Sequence, residues 1–533
     1  MKHSCAAPAP DPCKPATSDQ RLQNAFATRF NTATWQAHAG LPPHTANEDE
    51  ARYADRCGTY TKCVKQASPG KVDPAAYASF RKALDSGSFA DFEAVPLGGS
   101  RTLNGPMGSY AYTLCGSDSS QFGDAPSGPN QEVASVVPPA PALASPPYAA
   151  ELIELYWASL LRDVAFTAYE SNELAKEAAH ELSGLPAYAG PRNHSGKVTP
   201  ALLFRGGFAG EIDGPYISQF LLRSTALGAL PIDQKYVTYQ AGLDYMTDLQ
   251  TWSGVQNGIA TGLSNVNDPA LRYLYNGRGL AAWTHVDVLF QAYFTAFLVL
   301  QTIGTPVNPG SPYAQSKIQN GFGTFGGPDF AATLGAVAKI ALNAVWYQKW
   351  PVHLRHRPES GGGLVHLIKS GVTFDGSPDA SVFESKAVRR SHEKYGTWLL
   401  SQAFPEGSPA HPAYPTGHGT VAGACITILK FFFDGESVFP DPQVPDADGT
   451  ALEPWQHSGK LTINGELHKL AHNITFGHGM HAGIHWRSDS DVSMLLGEAV
   501  ALSVLRDMAC TYAEPFTVTL TKLDGTTATI TNQ

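Results

Sequence analysis

The nine residues from Lys349 to Arg357 carry five basic or potentially basic side chains: Lys349, His353, Arg355, His356 and Arg357. The chain around them has 533 residues and a formal net charge of −10. Such a local reversal of sign is either a solvated helix face or a cradle for an anion. The cradle has a mechanism. Lys349 offers a point charge, and Arg357, held at the Pro358 break, offers a planar fork that meets phosphate-like oxygens two at a time. A second stretch, His411-Pro412-Ala413-Tyr414-Pro415-Thr416-Gly417-His418, stands directly before an amphipathic run with Val421, Cys425, Ile428, Leu429 and Phe432. Thr416 is predicted to be the N-cap and Gly417 one of the first helical residues. A helix N-terminus presents free N–H groups, which suits an anion. His418, in the first turn, can serve as acid or base at the edge of that site.

The third stretch is His478-Gly479-Met480-His481-Ala482-Gly483-Ile484-His485-Trp486-Arg487-Ser488-Asp489. His478, His481 and His485 fall at i, i+3 and i+7, the spacing of one helix face. Asp489, four beyond His485, can orient its ring. A zinc site needs more than this: HxxH lacks the carboxylate of HExxH, and no cysteine is nearby. A structural, histidine-lined core face is the plainer alternative.

These residues must be positioned by helices. Ile153, Tyr156, Trp157, Leu160, Leu161 and Val164 recur at helical spacing, and helices are also predicted over 172–182, from Gly214-Pro215 onward, and over 280–302. A second set is predicted at about 329–350, 383–402, 416–433 and 466–507. Around Asp524-Gly525 the pattern alternates by twos, a β-hairpin signal. The fold class is therefore all-α: two helical bundles packed together, with an irregular N-terminal region and a short C-terminal β-hairpin. The divisions are an N-terminal region and linker at 1–147, a first bundle at 148–302, a connecting loop at 303–328, a second bundle carrying the oxyanion site at 329–510, and a tail at 511–533. The acidic balance argues against nucleic acid. No signal-peptide h-region is visible, and Val288 to Leu300 is too short to span a bilayer, so a soluble protein without membrane contact is expected. Among seven cysteines, only Cys57 and Cys63 suggest a small disulfide loop.

Taken in order, Lys349…Arg357-Pro358, Pro415-Thr416-Gly417-His418 and His485-x-x-x-Asp489 resemble the three-part motif of the vanadium-dependent haloperoxidases and type-2 phosphatidic acid phosphatases. The resemblance covers roughly residues 150–510. Seven residues separate Lys349 from Arg357, Trp346 stands three before Lys349, and His411 stands seven before His418. These details resemble the bromoperoxidase branch. The resemblance implies vanadate as cofactor, with His485 as the ligand to vanadium and Lys349, Arg357, Thr416 and Gly417 around the oxygens. It further implies His418 as acid/base, Lys349 as the group polarising bound peroxide, and Trp346 and His411 near the halide. Asp489 would fix the His485 tautomer. Substrates would be hydrogen peroxide, bromide or iodide, and a small organic acceptor, and a homo-oligomer would be expected. The same pocket also suits an acid phosphatase, in which His485 attacks phosphorus, or a non-catalytic oxyanion binder. Two positions depart from the motif: Thr416 replaces Ser, and Gly479 stands where a second Arg is usual. His478 could fill that gap when protonated, or a one-residue shift in the helix could bring it inward.

Overall fold

The computed structural model describes residues 44–110, 137–456, 459–509 and 511–532, with parts of 17–30. Twelve helices of eight or more residues make up most of its regular structure. In chain order they begin with α1 (Pro74–Ser86), α2 (Pro146–Leu160), α3 (Glu173–Ser183), α4 (Leu249–Gln256), α5 (Gly277–Val286) and α6 (Gln291–Thr302). Then come α7 (Gly327–Tyr347), α8 (Pro358–Lys369), α9 (Lys386–Tyr395), α10 (Gly417–Phe432), α11 (Ile463–Phe476) and α12 (Arg487–Ala509). The sheets among the described residues are short antiparallel pairs. One of them is the expected tail hairpin, β1 (Thr517–Thr521) with β2 (Thr527–Thr531), in register from Thr517↔Thr531 to Thr521↔Thr527. Its alternation buries Val518, Leu520 and Ile530 and turns threonines outward.

Local chemistry sets the helix ends. Ser145 accepts the Tyr148 N–H ahead of two prolines and so starts α2; Asn172 caps α3 in the same way through Ala175 N–H. Asp73, followed by Pro74, starts α1 inside the stretch expected to be irregular. Tyr60, Val64, Phe80 and Leu84 there pack on Trp350 and Leu354, which tether the N-terminal region to the first basic stretch.

Four predicted helices differ. Gly214-Pro215 opens no long helix, only a single 3₁₀ turn at Gln219–Leu221. The N–H groups of Ser218 and Gln219 bond Asn473 Oδ1 and Glu466 Oε2 on α11, which replaces the intrahelical pattern. The run 280–302 is two helices, α5 and α6, bent by 105°. The run 466–507 is α11, a π-helical turn at Gly477–His481, a non-helical link and α12. Gly483 in that link has φ +84°, the left-handed region that glycine reaches without a Cβ penalty. Helix α9 stops at Tyr395 rather than near 402, on Gly396 with φ +74°.

The two helical sets share one hydrophobic core. Leu155, Leu300, Leu334, Val421, Leu470 and Val500 belong to the same buried cluster, although 303–326 between the sets carries no helix or strand. By length and composition, Gly327–His353 is the one continuous helix among the described residues apolar enough to cross a membrane, and half of its apolar window is buried in this core. Cys57 and Cys63 are free buried thiols, so the small disulfide loop does not form.

Helices α10 and α12 make the closest approach. A Cβ on Gly423 would lie 2.0 Å from Met494 O, and one on Gly497 2.0 Å from Thr420 O. Backbone meets backbone there, and the two helices hold the second and third motif stretches side by side. Gly423→Ala is expected to force them apart and destabilise the protein by about 1–3 kcal/mol, read as a lower midpoint in thermal unfolding.

Candidate active site

The first basic stretch leaves α7 through a π-helical turn, Gln348–His353, and ends on Leu354 in the left-handed region at φ +43°. Irregular backbone of this kind is common where a side chain must be re-aimed. Arg355 next makes an isolated antiparallel bridge with Thr59 of the N-terminal region, and its carbonyl accepts the Ala413 N–H at 2.9 Å. The first stretch is thereby joined to the second. The second is joined to the third by the Thr416 N–H, which donates to Asp489 O at 3.1 Å.

Asp489 is the fixed point of the third stretch. Its Oδ2 accepts His485 Nδ1–H at 2.9 Å and the Trp486 N–H at 3.0 Å, and its Oδ1 takes Arg355 Nη1 at 2.7 Å. Arg355 is in turn gripped by Glu151 Oε2 on α2 at 2.8 Å. A carboxylate only accepts, so the His485 proton sits on Nδ1 and Nε2 keeps its lone pair. That lone pair faces Arg357, whose Nη1 donates to it at 2.7 Å.

Lys349 and Arg357 are both 0% exposed, and neither makes an ion pair with a carboxylate among the described residues. Among the described residues, Lys349 Nζ has only the carbonyls of Pro412 (2.9 Å) and Ala413 (2.8 Å) as partners. Arg357 has the carbonyls of His411 and Ile484 beside the His485 ring. Burial, then the neighbouring Arg357 charge, hold the Lys349 ammonium well below the usual lysine range. Burial pulls Arg357 down to about 10. Buried cations left without a counter-charge are costly, and an anion between them removes the cost. The Thr416 hydroxyl stands at the N-cap position of α10 yet makes no cap bond, and its Oγ1 is buried without a partner. Two unpaired cations, an unpartnered hydroxyl and an imidazole lone pair therefore suit a tetrahedral oxyanion, and these residues fit vanadate.

Gly417, His418, His478 and His485 line one cavity of about 350 Å³, together with Trp346 and His411. His418 Nε2 lies 3.0 Å from Asp287 Oδ1, so the carboxylate takes the Nε2 proton and Nδ1 is the basic nitrogen. Asp287 comes from the break between α5 and α6; the bend exists where this side chain turns inward. Trp346 packs against His411 with ring centroids 4.7 Å apart and planes tilted by 42°, and its Nε1–H is already bonded to the carbonyls of Asn104 and Gly105. Arg357 Nη2 lies 3.0 Å from His411 Nδ1.

The three histidines of the third stretch do not share a face. His481 points into the core, 2.9 Å from Tyr216 OH. His478 turns into the cavity and stacks on His418 at 3.8 Å. The π-helical turn makes the difference: it holds one residue more than an α turn, so His478, seven before His485, reaches the wall, while a Cβ on Gly479 would face His485 Cβ at 3.0 Å. Burial and the His418, His485 and Arg357 charges hold His478 well below the usual imidazole range. It reaches the cavity with its Nδ1 buried and without a hydrogen-bond partner, at the place where the motif's second Arg is missing. Arg487 is occupied by Glu154, away from the cavity. Asp287 and the cavity-lining Arg101 lie outside the motif spacing, and nothing in their sequence neighbourhood marks them; Arg355 belongs to the first basic stretch, but its grip on Asp489 shows only in the fold.

No protein-family model matches the chain. It is 33% identical to the vanadium-dependent bromoperoxidase of Corallina pilulifera, covering 96% of this chain and 98% of that protein. It is also 33% identical to that of Ascophyllum nodosum, covering 94% and 91%. Among solved structures it matches the homohexameric second vanadate-dependent bromoperoxidase of Ascophyllum nodosum, with a TM-score of 0.88 and 27% identity over 99% of this chain and 93% of that one.

Thr416→Val replaces an unpartnered buried hydroxyl by a methyl of the same shape. It is expected to stabilise the anion-free protein by about 1 kcal/mol while weakening orthovanadate binding, measured by thermal unfolding and equilibrium dialysis side by side.

Proposed function

The chain belongs to the vanadium-dependent haloperoxidases, and from that premise we propose how its residues divide the work. Its cofactor is vanadate, and its activity is the oxidation of halide by hydrogen peroxide. The observation that carries the division is the meeting of the His485 Nε2 lone pair with two buried cations that lack a counter-charge. His485 would hold the central vanadium, its tautomer fixed by Asp489 and Asp489 itself held by Arg355. Lys349, Arg357, the Thr416 hydroxyl and the Gly417 N–H would neutralise the oxygens, with His478 as a hydrogen-bond partner in place of the second guanidinium. Bound vanadate supplies a Lewis-acidic centre at which peroxide oxygen becomes electrophilic toward halide.

His418 Nδ1 takes the proton of incoming hydrogen peroxide and returns it to leaving water, with Asp287 stabilising the imidazolium between the two transfers. Lys349 lends its charge to the peroxide oxygens. The His411 ring beside Trp346 favours bromide or iodide as the halide, and the hypohalous acid equivalent formed halogenates a small organic acceptor. The homohexameric architecture of the Ascophyllum nodosum neighbour supports a homo-oligomer for this chain as well.

Reconstitution with vanadate, followed by peroxide with bromide or iodide and, separately, a phosphate monoester, tests this reading. Halogenation without appreciable ester hydrolysis is the expected result; ester hydrolysis alone would assign the pocket to phosphoryl transfer. His485→Ala is expected to abolish vanadate binding in equilibrium dialysis. His418→Ala should keep the cofactor bound and lower kcat by about 10²–10⁴-fold; a variant with full turnover would remove His418 from the proton path.

A further inference from the structure

The cavity has an outer half that the assigned roles leave unused. Arg101, from the N-terminal region, lines it beside Asn104 and Trp346. The segment that carries Arg101 is stitched to the fold by backbone bonds: Gly98 N–H to Cys63 O at 3.0 Å, Arg101 N–H to Gly258 O at 3.0 Å, and Asn104 N–H to Ala410 O at 2.8 Å. It lies so flush that a Cβ on Gly99 would come within 2.2 Å of Gly258 O. This is a built wall of the cavity, although it is remote in sequence from every motif residue.

Every acid around Arg101 is already committed. Glu406 pairs with His285 at 2.6 Å, Asp287 with His418 at 3.0 Å, and Glu359 with Lys62. Arg101 makes no ion pair among the described residues; its Nη1 donates to a neutral acceptor, Glu406 O, at 2.8 Å. Nor can Trp346 serve an anion through its indole N–H, which is spent on two carbonyls. The cavity thus offers one guanidinium that no carboxylate contacts directly, with Glu406 near enough to feel its charge, set among Leu289, Leu342 and Phe404. A guanidinium is weakly hydrated and matches weakly hydrated, polarisable anions better than an ammonium does. A cation in a cleft with low-dielectric walls also concentrates counter-ions there.

We propose that Arg101 is the halide-binding residue of the outer cavity, collecting bromide or iodide against Trp346 before it meets the activated peroxide. The inference rests on the haloperoxidase reading and deepens it. A rival role, as a further ligand of the oxyanion, is disfavoured by position. The charges acting most on His485 are Arg357, Lys349, His418 and Arg355, and those acting on His478 are His418, His485, Arg357 and His285. Arg101 is in neither set; it reaches Arg357, but behind Asp489, Tyr60 and Glu359 in strength.

The test uses the full chain with Arg101→Met and Arg101→Lys. In the vanadate-loaded protein, Arg101→Met is expected to raise the KM for bromide and iodide by about tenfold or more, with the KM for peroxide and the vanadate affinity unchanged. Arg101→Lys should restore part of the loss, and more for bromide than for iodide. In the vanadate-free protein, iodide should quench tryptophan fluorescence with a saturable component that Arg101→Met removes. Arg101→Gln, which keeps a donor for Glu406 O without the charge, carries the same measurements if the Met variant does not fold. An unchanged halide KM, or equal saturable quenching in wild type and variant, overturns the inference; so does a loss confined to vanadate affinity, which would make Arg101 an oxyanion ligand. Because the quenching needs no cofactor, it stands apart from the haloperoxidase reading, which fails only if the wild type, loaded with vanadate, oxidises no halide.

Discussion

Positive charge held away from water without a matching negative charge is the constraint around which this protein is built. Lys349 and Arg357 sit on irregular backbone between α7 and α8, where carbonyl oxygens give them partial charge only. A fold that minimised its own energy would place a carboxylate there or remove the cations. The nearest acid, Asp489, is instead occupied by Arg355, the His485 ring and a backbone N–H. That arrangement keeps the negative charge behind the imidazole and leaves the cavity side positive.

The rest of the molecule serves this separation. Helix α2 contributes Glu151, which fixes Arg355 from behind; the α10–α12 contact brings Thr416 and Asp489 into backbone contact; the N-terminal region packs on Trp350, inside the turn that aims Lys349, and on Leu354, which ends it. No single helical set holds the site alone, which accounts for a core that runs without interruption through both.

Much of this was legible in the chain itself, and the limits have physical causes. Lys349, Arg357, Thr416, Gly417 and His485 could be marked because spacing along a chain survives as spacing in a motif. The helical character and the tail hairpin followed from periodicity. What periodicity cannot show is a break inside a run that is apolar on all sides, so Asp287 looked like the flank of a long helix rather than the partner of His418. Arg101 was equally silent, and Arg355 showed only as one more charge in a basic stretch, because their importance depends on which acids are already taken, a property of the folded molecule. The histidine spacing misled for a different reason: it assumes 3.6 residues per turn, and the turn at Gly477–His481 does not keep that count.

That turn has a further implication for how such a wall can vary. In a regular helix, changing which side chain faces the pocket requires substitution at a given position. Where a wider turn absorbs one surplus residue, the same outcome is reached by a change in chain length, with flanking residues kept and only the rotation of what precedes them altered. Removing Gly479 while the wider turn persisted would put Gly477 seven before His485, in the register His478 now holds, without touching any residue C-terminal to it. A single codon gained or lost is thus enough to exchange the group presented to the anion, and the framework on both sides need not register the event.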